Sequence, residues 1–231
     1  MDESTKSLIK SVFPAGVRIY RRIRKVRYAL DILTPSMEKI FSDIYLNNSW
    51  ADTESVSGRG STLARTGVIR RELPALLASV GAKSLLDAPC GDFNWMRHVD
   101  LGGIKYLGAD VVQQLIEQNR FLHGGRSRDF VVLDITSDEV PRADVILCRD
   151  CFIHLSFKHT RAAITNFKRS GSTFLLATTH TTVRENTDIE SGRGRYVNLH
   201  LPPYNFPEPL RLITESPDLG KSLGMWRLED L

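Results

Sequence analysis

Residues 83–95 read KSLLDAPCGDFNW. An apolar run ends in an acid, Asp87, and breaks at once into a turn of small residues, Ala88-Pro89-Cys90-Gly91-Asp92. A buried parallel strand of an open α/β sheet hands its chain to a ligand-binding loop in this way. A second run, Ile104 to Ala109, ends in Asp110, 23 residues beyond Asp87. That spacing is one βα unit plus a strand, and an acid placed there can accept hydrogen bonds from both hydroxyls of a ribose. A nucleoside-containing ligand is the first expectation.

Outward from this stretch the pattern alternates. Strands are predicted at 83–87, 104–109, 129–133, 143–148 and 172–178, rich in Val, Ile and Leu and bounded by turn residues. Helices are predicted between them, at about 92–98, 111–121 and 157–169, the last with Ser156 as N-cap and Gly171 beyond its end. Such alternation specifies a Rossmann-like, doubly wound, mostly parallel sheet with helices on both faces. Two more strand candidates, 210–214 and 224–228, close the chain. Before the sheet, Ser36 can cap a helix through Met37, Ile40, Phe41 and Ile44, and a further helix is expected from Thr62 to Val80, kinked or split at Pro74 and ended by Gly81. Residues 180–209 form a long polar segment whose Leu199, Leu201, Tyr204 and Phe206 favour an ordered lid.

At 231 residues, 42% of them apolar, the chain suffices for one sizeable domain plus an extension. The organisation expected is a basic helical extension over residues 1–50 and a catalytic domain over 51–231. Net charge is only +4, yet residues 18–27, RIYRRIRKVR, hold six Lys or Arg and no acid. A solvated helix packing Val17, Tyr20, Ile23 and Leu30 onto the domain accounts for them; peripheral contact with anionic lipid at the inner membrane surface is the alternative. Nucleic acid is disfavoured as a partner. Three cysteines and no secretory signal point to the cytoplasm and to no disulfide framework.

The turn after the first strand keeps only Gly91 where dinucleotide-binding loops carry several glycines, so it is poorly made for a pyrophosphate. A ligand with a nucleoside and no phosphate suits it better. S-adenosylmethionine is one, and its ammonium group would meet Asp87 or Asp92. An ordinary βα turn capped by Asp92 is the plain reading, and Asp110 can equally cap the helix after it. Asp134, 24 residues past Asp110, can take an adenine amine or end a turn. The fourth strand runs into Cys148-Arg149-Asp150-Cys151-Phe152-Ile153-His154. Its tip belongs to the same edge, so Asp150 and His154 are candidates for the reacting centre, His154 as a base with an ordinary pKa near 6.5. A histidine satisfied by backbone is the competing reading. His180 ends the fifth strand at the same edge, and Arg184, Arg193 and Arg195 of the lid can hold an anionic or sugar-phosphate acceptor. Cys148-x-x-Cys151 is misplaced for thioredoxin-like redox chemistry, and zinc on Cys90, Cys148, Cys151 and His154 is disfavoured.

The ordered set LLDAPCGDFNW, YLGAD, VVLDI, DVILCRDCFIHLS and NLHLPPYNFPEPL resembles class I S-adenosylmethionine-dependent methyltransferases, and more narrowly a bacterial group sharing SVSGRGSTL, APCGDFNW and CRD-x3-HLS. The likeness covers residues 54–228. It implies a seven-stranded sheet with an antiparallel last strand and S-adenosylmethionine as cofactor. It further implies Asp87, Pro89, Gly91 and Asp92 at the methionine end, Asp110 on the ribose, Asp134 and Ile135 on the adenine, and Cys148, Arg149 and Asp150 beside the methionine amine and the acceptor. Residues 57–61 would form a flap over the cofactor, with Arg59, Arg184 and Arg195 toward a small-molecule or saccharide-type acceptor. Pro89 and Phe93 stand where the superfamily has glycines, Gly194 where an aromatic is expected, and His180 is unusual. O-methylation with His154, Asp150 or His180 taking the proton is the expected chemistry, with no metal. A nicotinamide-dependent oxidoreductase and a non-catalytic nucleic-acid- or membrane-binding module are the rival classes.

Overall fold

A computed structural model describes residues 35–231, of which Ile40–Leu231 forms one compact unit. The basic stretch 18–27 and its apolar residues lie outside the described residues. In chain order the elements are α1 (Met37–Leu46), α2 (Gly67–Ser79), β1 (Ser84–Asp87), β2 (Lys105–Asp110), α3 (Gln113–His123), β3 (Arg128–Val132), β4 (Val145–Cys148), α4 (Phe157–Arg169), β5 (Phe174–His180), β6 (Arg211–Ser216) and β7 (Lys221–Arg227).

The seven strands make one sheet in the order β3-β2-β1-β4-β5-β7-β6. β1 to β5 pair in parallel, and β7 is antiparallel to both its neighbours. Strand order reverses at β1, which lies between β2 and β4, so the loops after β1 and β4 diverge and leave a crevice at the carboxyl edge. This is the Rossmann-like fold with an antiparallel last strand. Leu85, Tyr106, Phe130, Val145 and Leu147 of the sheet share a core with Ile69, Leu73 and Leu77 of α2 and with Ile116 of α3.

α2 shows how the pattern becomes structure. Its buried residues, Ile69, Leu73, Leu76 and Leu77, recur at helical spacing and face the core. It begins later than expected, at Gly67, and Thr62 has extended backbone with ψ +153°, which no α-helix includes. It continues through Pro74, so no second helix begins there; the shared buried face holds both halves in line. Gly81, at φ +64°, ends it: Gly81 N–H reaches Ala78 O and Ala82 N–H reaches Leu77 O, a paired C-terminal cap. α4 is capped by the Ser156 hydroxyl, which accepts from His159 N–H at 3.2 Å.

Two expectations need correction. Residues 92–98 form a turn and a short 3₁₀ segment, Met96–His98, rather than a helix. Gly91 and Phe93 sit at φ +55° and +58°, which a right-handed helix cannot include. β7 starts at Lys221, not 224. Gly224 lies inside it because the Trp226 ring takes the space of a side chain, with Cζ3 and Cη2 within 2.7 Å of where a Cβ would stand.

Candidate active site

Asp87 ends β1 and is 3% exposed. Its Oδ2 accepts the Tyr106 hydroxyl at 2.7 Å. Burial raises its carboxyl to about 7, against the opposing pull of that bond and of nearby Arg149. Asp110 ends β2. Its Oδ2 accepts Gly91 N–H at 3.1 Å and its Oδ1 accepts Val112 N–H at 3.0 Å. Burial raises it to about 6. The Gly91 turn therefore sits between two buried carboxyl groups on adjacent strand tips, both short of the positive partners that burial demands.

Asp92 is used differently. Its carboxylate accepts Ser55 Oγ at 2.8 Å, Ser57 Oγ at 3.1 Å and Val56 N–H at 3.0 Å, which pins the 55–57 loop onto the turn. Ser57 Oγ lies so near Gly91 that a Cβ there would meet it at 2.2 Å, so the turn requires glycine for space as well as for φ. Pro89 lies within the same turn, after a cis peptide bond. Asp134 turns its Oδ1 into its own loop, onto Thr136 N–H and Oγ1 at 2.8 and 2.6 Å. Ile135 beside it is buried, and its carbonyl accepts Asn166 Nδ2 at 3.0 Å.

Beyond β4 lies an ion network. Arg149 donates from Nε and Nη2 to Glu215 and from Nη2 to the Gly60 carbonyl at 2.9 Å, while Nη1 is 3.1 Å from Asp150 Oδ2. Lys221 Nζ reaches Asp150 Oδ2 at 2.6 Å. The guanidinium also lies over the Trp95 ring, 5.3 Å from its centroid. Arg149, assigned to the cofactor by likeness, is thus engaged within the protein at all three nitrogens; its side chain holds the Gly60 loop and the end of β6 instead. Burial alone would raise Asp150, but Arg149 and Lys221 outweigh it and bring it to about 2. So weak a base takes no proton from a hydroxyl at neutral pH, which corrects its assignment as proton acceptor. Cys148 and Cys90 are buried, and burial raises both thiols, the opposite of what redox catalysis needs.

His154 Nδ1 faces the Arg193 carbonyl at 2.9 Å; a carbonyl only accepts, so Nδ1 carries the hydrogen and Nε2 keeps a lone pair. Burial lowers its pKa, so the ring is neutral at pH 7. Trp50 stacks near it, with ring centroids 5.1 Å apart. His180 is buried against Tyr196, and Val197 N–H lies 3.5 Å from its Nδ1.

In the lid, Arg195 donates from Nη2 to the Tyr204 hydroxyl at 2.9 Å and lies over the Phe157 ring. Its Nε and Nη1 are buried with no partner among the described residues. Arg59 and Arg184 are exposed. Lid backbone docks on the turn carrying His154 through Gly192 N–H to His154 O at 2.8 Å and Arg195 N–H to Ile153 O at 3.0 Å.

No protein-family model and no curated protein matches the chain. Solved structures do. The chain is similar to human N-acetylserotonin methyltransferase in complex with S-adenosylmethionine, with a TM-score of 0.59 at 12% identity, over 83% of this chain and 59% of that one. It is similar to magnesium protoporphyrin IX methyltransferase from Synechocystis PCC 6803 with bound S-adenosylmethionine, at 0.54 and 14%, over 82% and 96%. A third likeness is to the pyocyanin biosynthetic protein PhzM, at 0.55 and 12%, over 71% and 56%. The chain has the Rossmann-like methyltransferase fold. It spans little more than half the length of the human enzyme and of PhzM.

On this methyltransferase fold, sequence reasoning missed Tyr106, Glu215, Lys221 and Trp50. Glu215 sits at a β-bulge between Thr214 and Ser216, an extra residue that points its carboxylate at Arg149. Lys221 pairs across the sheet from His180. Tyr106 could have been found: a tyrosine in a buried run needs a partner for its hydroxyl.

Proposed function

We propose that the chain is an S-adenosylmethionine-dependent methyltransferase that methylates an oxygen of a small-molecule or saccharide-type acceptor. The observation that carries this reading is the pair Asp87 and Asp110, buried on adjacent strand tips around Gly91, each raised by burial beyond what its hydrogen-bond donors offset, with no cation paired to either among the described residues. An ammonium near Asp87 and ribose hydroxyls near Asp110 would supply further partners. Human N-acetylserotonin methyltransferase and the Synechocystis enzyme, which share the fold, hold S-adenosylmethionine.

When bound, S-adenosylmethionine supplies a methyl group on a sulfonium, an electrophile that needs no metal. The chain aligns the acceptor oxygen with that carbon, and such positioning supplies much of the rate. As the acceptor oxygen bonded to the methyl carbon, the sulfonium–methyl bond would break and S-adenosylhomocysteine would leave as a thioether; His154 Nε2 would take the hydroxyl proton, and ionised Asp150 would favour the resulting imidazolium, since it raises the His154 pKa. The unpartnered nitrogens of Arg195 favour an acceptor that carries an anionic group near the reacting oxygen.

Calorimetric titration with S-adenosylhomocysteine and with NAD tests the reading. S-adenosylhomocysteine should bind and NAD should not. Binding of NAD alone, or of neither, overturns it. Transfer of labelled methyl to saccharides, phosphorylated metabolites and nucleic acids then identifies the acceptor.

A further inference from the structure

A second cleft opens at the amino edge of the sheet, away from the strand tips that carry Asp87 and Asp110. Its volume is about 600 Å³. Two features of the chain make it. The β3-to-β4 crossover, residues 133–144, contains no helix, so the starts of β1, β2 and β4 are left without a cover. After α3 the chain doubles back in a tight turn, with Gly125 N–H to Arg128 O at 2.8 Å and Arg128 N–H to Gly125 O at 3.2 Å, which raises a wall beside them. Its floor is the backbone of β1 and β2 at residues 84–86 and 105–107, where Leu85, Leu86 and Tyr106 are buried and Leu107 is half-buried.

The rim is cationic. Lys105, Arg120, Arg126, Arg128 and Arg142 line the cleft, and Asp129 is its one acid. Asp129 lies 3.7 Å from Arg120 Nε, and both are exposed, so that pair is weak. Arg120 Nη2 also donates to the Phe130 carbonyl, and Arg128 lies over the Phe93 ring at 5.0 Å. Asp144, the neighbouring acid close to Arg142, already accepts Lys83 and Ser84 N–H groups and the Ser84 hydroxyl. Surfaces ordinarily intersperse charges of both signs. Here five cations gather on one cleft of a chain whose whole net charge is +4.

We propose that this cleft binds a small ligand carrying two or more phosphate groups. Guanidinium groups match phosphate oxygens in fork geometry and remain charged at every working pH. The volume falls within the roughly 300–1,000 Å³ of small-molecule sites, which favours a compact anion over a nucleic-acid strand. The site is separate from the carboxyl edge: the three residue steps of β1 from Ser84 to Asp87 span roughly 10 Å.

ATP and inorganic tripolyphosphate are the probes, titrated calorimetrically into the wild-type chain and into a variant carrying Arg126→Glu and Arg142→Glu. Both positions are exposed. Wild type should bind ATP, and the variant should bind it at least about tenfold more weakly, as loss of charge-assisted bonds requires. Its thermal midpoint and its affinity for S-adenosylhomocysteine should be unchanged. Tripolyphosphate bound as tightly as ATP supports the site and assigns the affinity to the phosphates alone; ATP bound more tightly supports it and adds contacts to the nucleoside. No binding of either probe, or equal binding by the variant, overturns the proposal. So does a single-stranded oligonucleotide that binds far more tightly than ATP and is likewise weakened by the variant. None of these outcomes bears on methyl transfer, because the substituted residues, Arg126 and Arg142, make no contact with the residues of the carboxyl edge described above.

Discussion

Replacing Asp87 with Asn tests whether the carboxyl edge of the sheet is built to receive a cation. The side chain is buried, takes one hydrogen bond from Tyr106, and titrates at about 7 where an ordinary aspartate titrates at 3.8. In the unfolded chain it returns to the ordinary value. Between those two pH values the folded state holds a proton that the unfolded state has lost, so this group's contribution to stability falls as pH rises through the window. About three pKa units at roughly 1.4 kcal/mol each amounts to about 4 kcal/mol by pH 7 and above, an upper value for one buried carboxyl. Asparagine has no proton to lose. Without cofactor, Asp87→Asn should match wild type near pH 4 and gain on it up to pH 7. Above that it should be more stable by up to about 4 kcal/mol, or roughly 8–16 °C in melting midpoint for a domain of this size. Asp110, raised to about 6, also raises Asp87 by like charge, so the difference between the proteins reports Asp87 together with the relief of that repulsion. The assay is a series of thermal melts from pH 4 to 8.5, repeated with saturating S-adenosylmethionine. Ligand should reverse the order, because binding to the native state stabilises wild type and the variant has lost the carboxylate that receives the ammonium. Parallel melts across the whole range would refute the account of an uncompensated carboxyl. Equal stabilisation of both proteins by ligand would refute its role in binding.

His154→Gln should lower the rate of methyl transfer by about 10²- to 10⁴-fold, the usual worth of a general base, and leave the dissociation constant for S-adenosylhomocysteine as it was. Equal loss in both would make His154 a prop for the lid through Arg193. In wild type, burial lowers the His154 pKa from 6.5, so activity should persist to pH values below 6.5 before protonation removes the lone pair. Glu215→Gln leaves Arg149 and Lys221 to share one carboxylate and should destabilise the fold by about 3–5 kcal/mol in chemical denaturation; a loss under about 1 kcal/mol would show the network to be solvated. Gly91→Ala forces a side chain at φ +55° into Ser57 Oγ and should expose residues 51–61 to limited proteolysis, where a wild-type cleavage pattern would contradict the packing described.

Strand tips were legible because each is an apolar run that stops at an acid. Asp87 and Asp110 were read at the ends of the strands they terminate. The lid was legible for a similar reason: Leu199 and Phe206 are buried, and the Asn186 amide fastens the segment onto the carbonyls of Asn198, Leu201 and Pro202. Other features depend on partners distant in the chain. Glu215 in RLITES looks like a solvent-facing residue of an edge strand until the bulge turns it toward Arg149, 66 residues earlier. Gly224 reads as a strand boundary until Trp226 is seen to fill its side-chain space. The turn at 92–98 has helical spacing, yet Asp92 is committed to serines 55 and 57, and no local pattern announces that commitment.

Three aspartates stand at neighbouring strand tips, and their surroundings separate them into two kinds. Asp150 lies between two cations and is ionised throughout the working range. Asp87 and Asp110 share only hydroxyl and amide donors and are held near neutrality. Charge on the β4 side is therefore balanced within the protein, and charge on the β1–β2 side is left to be balanced by a ligand. A cation arriving at this edge gains most where the carboxyl groups are unpaired, and on the proposed reading the sulfonium and its ammonium would sit at β1 and β2 with the acceptor on the β4–β5 side. On that side Asp150 is too acidic to take a proton, and in the proposed transfer His154, neutral with Nε2 unprotonated, is the group that receives it.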